Sequence, residues 1–241
     1  HKVEEMDMED IRPLVNPEWI KRFRDRAMSP ERPDTRGTAE NPETFFTHRE
    51  ACNKYYEAIP AIVEKHLAEI SKITGREYHL FNYYGAPDAE HIIVLMGSAT
   101  EAAREAIDFL TKQGKKVGMV SVHLYRPFSE KYFLKVLPKS VKKIAVLDRT
   151  KEPGALGEPL YLDVKALFQG QSNSPLIIGG RYGLSSKDTT PAQIVAVYDN
   201  LELNEPKNDF TIGIVDDVTF KSLSIKSEGS IVKPGTTECK F

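Results

Sequence analysis

These 241 residues predict an open, mostly parallel α/β sheet with helices on both faces, preceded by a helical and extended arm. Three observations carry that prediction. From about residue 76, short apolar runs rich in β-branched side chains alternate with amphipathic stretches, which is the pattern of repeated strand–helix–strand units. Those runs are nearly continuous in apolar character, as strands covered on both faces must be. Before residue 76 the chain carries prolines, charges and one long helical periodicity instead.

Asn16-Pro17 ahead of Glu18-Trp19-Ile20 reads as a helix start, an N-cap residue followed by proline at the first helical position, with a stop near Ser29-Pro30. Prolines at 30, 33 and 42 predict extended loop over 30–47. A helix is expected over 49–74, where Ile59, Ile62, Val63, Leu67, Ile70 and Ile73 share one face and Gly75 supplies the stop. Pro60 either opens the well-formed part of that helix or kinks it. His66 falls within the apolar face and reads as a satisfied core or interface histidine. Residues 79–84 read as an added edge strand. Strands over 92–96, 116–125, 144–147, 176–178 and 210–215 then alternate with helices over 99–113, 129–137, 158–168 and 190–201. Residues 236–241 alternate in polarity like one more strand, with nothing after them to pair with. With His1 in place of an initiator Met, the chain reads as a piece of a longer polypeptide.

Composition removes several function classes. Lys and Arg number 33 against 35 Asp and Glu, so no basic excess invites nucleic acid. No apolar run approaches the roughly 18 residues that span a bilayer, and no signal-peptide pattern opens the chain, so no membrane partner is expected. Cys52 and Cys239 are too few for a disulfide framework or a four-thiolate zinc or iron–sulfur site, and they fit a reducing, cytoplasmic setting. The histidines lack H-E-x-x-H spacing, and no Walker, G-x-G-x-x-G or G-x-S-x-G motif is present.

In open α/β sheets ligands bind outside the carboxyl ends of the strands, so the turns there are the candidate sites. Gly97-Ser98 could cradle phosphate on backbone N–H groups, but Ser98 with Glu101 three residues on is preferred as a capping box. Arg126, before Pro127, is either an anion contact or a salt bridge to a neighbouring loop, and Ser129 can cap the following helix. Asp148-Arg149-Thr150-Lys151-Glu152 places five polar residues directly after a buried strand. Asp and Lys there could serve acid–base chemistry, but without a neighbouring His or Cys an inter-domain docking role is preferred, with the heads of Asp148 and Arg149 facing outward. Gly179-Gly180-Arg181-Tyr182-Gly183 reads either as a partner contact or as a simple turn. The candidate docking set is therefore Arg126, Asp148, Arg149, Lys151, Glu152 and Arg181, with no catalytic, cofactor or metal residue assigned.

Several segments of these turns resemble pyruvate:ferredoxin (flavodoxin) oxidoreductase: YYGAPDAEHIIVLMGSATE (83–101), VHLYRPFS (122–129), VLDRTKEPGALGEPLYLDV (146–164) and GGRYGLSSKD (179–188). TRGTAENP (35–42) and TIGIVDDVT (211–219) do so as well, in order along the chain. The resemblance implies that residues 76–232 are the family's second domain, with a transketolase C-terminal-like fold. It implies that 1–75 end the preceding thiamine-pyrimidine-side domain and connect it, and that 233–241 begin the next. Complete enzymes of that family oxidatively decarboxylate pyruvate with coenzyme A, giving acetyl-CoA and carbon dioxide and reducing ferredoxin or flavodoxin. They use thiamine diphosphate, magnesium and [4Fe-4S] clusters. None of the motifs for those groups maps onto this chain, so the expectation is a non-catalytic scaffolding segment. Its partners would be other domains of the same polypeptide, in a full-length homo-oligomer. The alternatives are a free-standing binder of phosphate or coenzyme A at the Gly97 or Gly179 turn, and the same domain of an oxidoreductase for another 2-oxoacid.

Overall fold

The computed structural model describes residues 5–37, 39–215 and 218–225. Contacts divide the chain into two units, with the boundary between His79 and Leu80. The strand expected at 236–241, the boundary at 233 and Cys239 lie outside the described residues.

The first unit is helical, with α1 (Met8–Ile11), α2 (Pro17–Asp25), α3 (Pro42–Ala51) and α4 (Asn53–Thr74). α2 begins as its Asn-Pro pair predicts, the Asn16 side chain accepting the Glu18 N–H at 2.9 Å. The extended loop expected through residue 47 is corrected: α3 starts at Pro42, with Asn41 in extended conformation at its N-cap. Asn41-Pro42 is the same start signal as Asn16-Pro17, and proline there sits where its missing N–H removes no helical bond. The single helix expected over 49–74 is two helices that meet at Cys52. Pro60 lies inside α4 and is the only buried residue among the described residues of this unit. Gly75 takes the left-handed conformation at φ 69° that ends α4, its N–H bonding Ser71 O. His66 has a partner, Nδ1 standing 2.9 Å from a Glu69 carboxylate oxygen while the ring meets Trp19 edge-on, but it is half-buried and not a core residue.

The second unit carries β1 (Phe81–Gly85), β2 (His91–Met96), β3 (Val117–Val122), β4 (Lys143–Asp148), β5 (Leu176–Arg181) and β6 (Phe210–Thr211). They form one sheet in the order β1-β3-β2-β4-β5-β6. All neighbours run parallel except β1, which pairs antiparallel with β3. Between the parallel strands lie α5 (Ala99–Lys112), α6 (Glu130–Val136), α7 (Pro159–Leu167) and α8 (Pro191–Glu202). The open, mostly parallel sheet is the one the apolar runs predict.

Side chains alternate faces along each strand, and the burial follows. Ile93, Leu95, Met119, Ala145 and Leu147 pack with Ala103, Ile107 and Leu110 of α5 and with Ile194, Val197 and Tyr198 of α8 in one cluster. On the opposite face Phe81, Phe128 and Phe133 stack at centroid separations of 5.2 to 5.4 Å, joining β1 to α6. The β2–α5–β3 crossover steps outward, and the β3–α6–β4 crossover returns past β2 to its other side. Winding therefore reverses between β2 and β4, whose carboxyl ends flank the crevice where doubly wound sheets place ligands.

Several local expectations need correction. Ser98 is helical in backbone and makes no side-chain cap bond; Thr100 Oγ1 bonds Gly97 O instead. Ser129 likewise makes no cap bond. The capping box of this unit stands at Thr190 and Gln193, ahead of α8. β6 stops at Thr211 because Gly213, at φ 86°, turns the chain away. Gly179, Gly180 and Arg181 belong to β5, and the turn expected over 179–183 falls at its end, where Gly183 is left-handed at φ 62°. A Cβ at Gly179 would meet the Tyr161 ring at 2.9 Å, and one at Gly180 would meet the Phe210 ring at 2.3 Å. Phe210 is fully buried, so Gly180→Ala has no free direction in which to displace it. The expected loss is about 1–3 kcal/mol, the usual cost of overpacking, read from the urea midpoint of this chain. An unchanged midpoint would mean that β6 yields and that its packing on β5 is loose.

Candidate functional site

The carboxyl edge of the sheet is where polar burial concentrates. Asp148, Glu158 and Arg181 are three of the six buried polar residues among those described. Asp148 is the last residue of β4 and lies in register with Arg181 at the end of β5. Its carboxylate turns inward, accepting the N–H of Leu160 at 3.0 Å and that of Tyr161 at 3.1 Å. Those donors belong to the first turn of α7, whose N–H groups have no partner within the helix. The outward head expected for Asp148 is therefore corrected, because a helix starting beneath the strand end supplies donors that draw the carboxylate in. Burial pushes the Asp148 carboxyl above its ordinary range, although the two backbone N–H bonds pull the other way.

Glu158 stands just before Pro159 at the start of α7 and folds back under the loop. One oxygen accepts the Glu152 N–H at 2.7 Å; the other lies 3.4 Å from both Lys151 Nζ and Arg181 Nη1. Arg181 also pairs with Asp209, whose backbone is left-handed at φ 56° and which pairs in turn with Lys221. A continuous ionic chain thus runs Lys151–Glu158–Arg181–Asp209–Lys221 beneath the edge.

Above it, Arg149 Nε donates to Gly183 O at 2.7 Å, tying the β4–α7 loop to the β5–α8 loop. Tyr182 Oη donates to Met96 O at 3.0 Å, which joins the end of β5 to the end of β2 across the crevice. Arg149, Lys151 and Glu152 are exposed. Arg126 stands apart from this group. It pairs with Asp163 on α7 and lies over the Tyr125 ring at 4.2 Å, the salt-bridge reading of its sequence context. Burial, with Asp163 adding to it, pushes the Tyr125 hydroxyl up to about 12.

Of the six residues singled out from the sequence, Asp148, Arg149, Lys151, Glu152 and Arg181 come together, Asp148 and Arg181 as buried supports and the other three at the surface. Glu158, Asp163 and Asp209 were missed. The signal for Glu158 was present: a polar residue followed by proline also opens α2, α3 and α8.

The chemistry this arrangement offers is limited. The N-terminus of α7 is where an open α/β sheet would seat a phosphate, and the carboxylate of Asp148 already occupies its N–H groups. Among the described residues no three His, Cys, Asp or Glu side chains are grouped to hold a metal ion, and Cys52 is the one free cysteine. One cysteine among the described residues cannot supply the four thiolates of an iron–sulfur cluster. No helix among them is long and apolar enough to cross a membrane.

Two family models match successive parts of the chain. Residues 1–67 match "Pyruvate flavodoxin/ferredoxin oxidoreductase, thiamine diP-bdg", and residues 89–194 match "Pyruvate:ferredoxin oxidoreductase core domain II". The pyruvate-flavodoxin oxidoreductase of Enterobacter agglomerans is 53% identical over 241 residues, covering 100% of this chain and 20% of that protein. The pyruvate:ferredoxin oxidoreductase of Moorella thermoacetica is 52% identical over 244 residues, covering 100% of this chain and 21% of that protein. A solved 2-oxoglutarate:ferredoxin oxidoreductase from Magnetococcus marinus overlays with a TM-score of 0.40 at 20% identity, over 70% of this chain and 24% of that one. The chain thus spans about a fifth of the length of the curated relatives it matches. With two domain models of one family matched in order and half of all positions shared with its members, this chain belongs to the pyruvate:ferredoxin/flavodoxin oxidoreductase family.

Proposed function

We propose that this chain is a non-catalytic, register-setting part of a cytoplasmic enzyme that oxidatively decarboxylates pyruvate with coenzyme A and reduces ferredoxin or flavodoxin. The names of the relatives support the reaction, and the match at residues 1–67 supports reading 1–75 as the end of a thiamine-side domain with its connecting arm. Residues 76–232 form the domain that docks against other domains of the longer polypeptide, in a homo-oligomer. Thiamine diphosphate, magnesium and [4Fe-4S] clusters are assigned to other parts of it.

One observation carries the docking role. The buried polar groups of the carboxyl edge hold the β4–α7 loop so that the exposed Arg149, Lys151 and Glu152 stand at fixed positions, Arg149 tied to Gly183 O and the Lys151 ammonium to Glu158. Mixed charge on a rigid crest discriminates between partner surfaces more than it adds affinity. The test uses Arg149→Ala and Glu152→Lys in the full-length enzyme and in this chain. The second variant keeps the Glu152 N–H bond to Glu158 and changes only an exposed head group. Turnover or assembly of the full-length enzyme should fall by on the order of tenfold, while the melting temperature of the chain stays within a few degrees. Full activity and assembly in both variants would reduce the loop to an ordinary turn.

A further inference from the structure

The same edge carries an apolar component that charge alone does not explain. Leu156, in the β4–α7 loop, is 96% exposed. Leu184, in the β5–α8 loop, is 47% exposed; Ile214 and Val215, beyond the end of β6, are 43% and 91% exposed. Single exposed apolar residues are ordinary, but these four lie on three adjoining loops that leave the carboxyl ends of neighbouring strands. The loops are joined to one another: Arg149 bonds Gly183 O, and the Gly213 turn packs near Asp188 O and the Gln193 side chain.

The loop bearing Leu156 is held at both ends. Asp148 anchors its start, Glu158 anchors its end and also binds the Glu152 N–H, and the Ala155 N–H closes a turn on Glu152 O. A leucine presented this way loses little conformational freedom when it is covered, which favours it as an interface anchor. Interfaces place such anchors centrally and ring them with polar groups. Arg149, Lys151, Glu152 and Lys187 flank the apolar residues in sequence and are exposed.

We infer that Leu156, Leu184, Ile214 and Val215 are the apolar centre of the docking surface, and that another domain of the same longer polypeptide covers them. This rests on the docking reading above and adds its energetic core. The curated relatives have about four-fifths of their length outside the matched stretch, which provides an intrachain partner at high effective concentration. The partner surface should be an apolar patch with a rim of mixed charge.

The test compares Leu156→Glu, Val215→Glu and, as a control at the C-terminal end of α8, Leu203→Glu in the full-length enzyme. Hydrogen exchange is followed at residues 150–157 and native mass is measured in parallel. Leu156→Glu and Val215→Glu should raise exchange in that loop on the order of tenfold at unchanged native mass, with Leu203→Glu without effect. Exchange unaltered by Leu156→Glu and Val215→Glu, while Arg149→Ala still impairs assembly, would overturn the apolar core and leave the docking reading standing. If neither kind of variant has an effect, both fall. A fall in native mass with Leu156→Glu would make a second copy the occupant and overturn the intrachain assignment.

Discussion

Glu158→Ala is expected to destabilise the sheet unit by about 3–5 kcal/mol, the scale set by breaking a buried ion pair from one side. Three groups lose a partner at once. Arg181 keeps only Asp209, Lys151 keeps only the Glu152 carbonyl, and the Glu152 N–H loses its acceptor. Because Glu158 and Arg181 are buried, the loss should persist in high salt, unlike that of an exposed pair such as Lys142–Glu90. Urea unfolding of this chain in low and high salt measures both features. Glu158→Gln retains one acceptor oxygen and should lie between the parent and the alanine variant. A loss under 1 kcal/mol for alanine would mean that water replaces the carboxylate and that the ionic chain is not what holds the β4–α7 loop.

The sheet was legible because its strands are buried on both faces and so read as unbroken apolar runs, as over 92–96 and 144–147. The same logic failed at Phe210–Val215, where apolar composition continues past the sheet into Ile214 and Val215 in an exposed loop. Gly213 between them was the available signal. At Pro42 the error was to read proline as a loop marker when the preceding Asn41 made it a helix start. The charged run 148–152 stood out as a candidate site because it breaks abruptly from a buried strand. Which of its heads turn inward did not. That depends on bonds to residues 12 and 13 positions on in α7, and Arg181 reaches 28 positions to Asp209. Partners so distant leave no periodicity or spacing in the sequence.

Asp148→Asn should change how stability depends on pH as well as its value at neutrality. An asparagine presents one carbonyl oxygen where the carboxylate presents two, so either Leu160 or Tyr161 would point its N–H at an amide NH2. An orphaned buried N–H costs about 1–3 kcal/mol, offset in part at pH 7 because a buried charge is also removed. The pH term follows from the direction in which burial moves the carboxyl. Folded Asp148 holds its proton to higher pH than the unfolded residue, whose value is about 3.9. Between those two values the folded chain carries more bound protons, so acidification favours folding through this group. Asp88 and Glu90 act oppositely, since Lys116 and Lys142 hold their carboxyls below the ordinary range, and burial lowers His91. All three are common to parent and variant and cancel in the difference. The stability of the parent relative to Asp148→Asn should therefore rise as pH falls from 7 towards 4, measured by urea unfolding at each pH. A difference that stays flat over that range would mean that the two backbone N–H bonds offset the effect of burial on the Asp148 carboxyl.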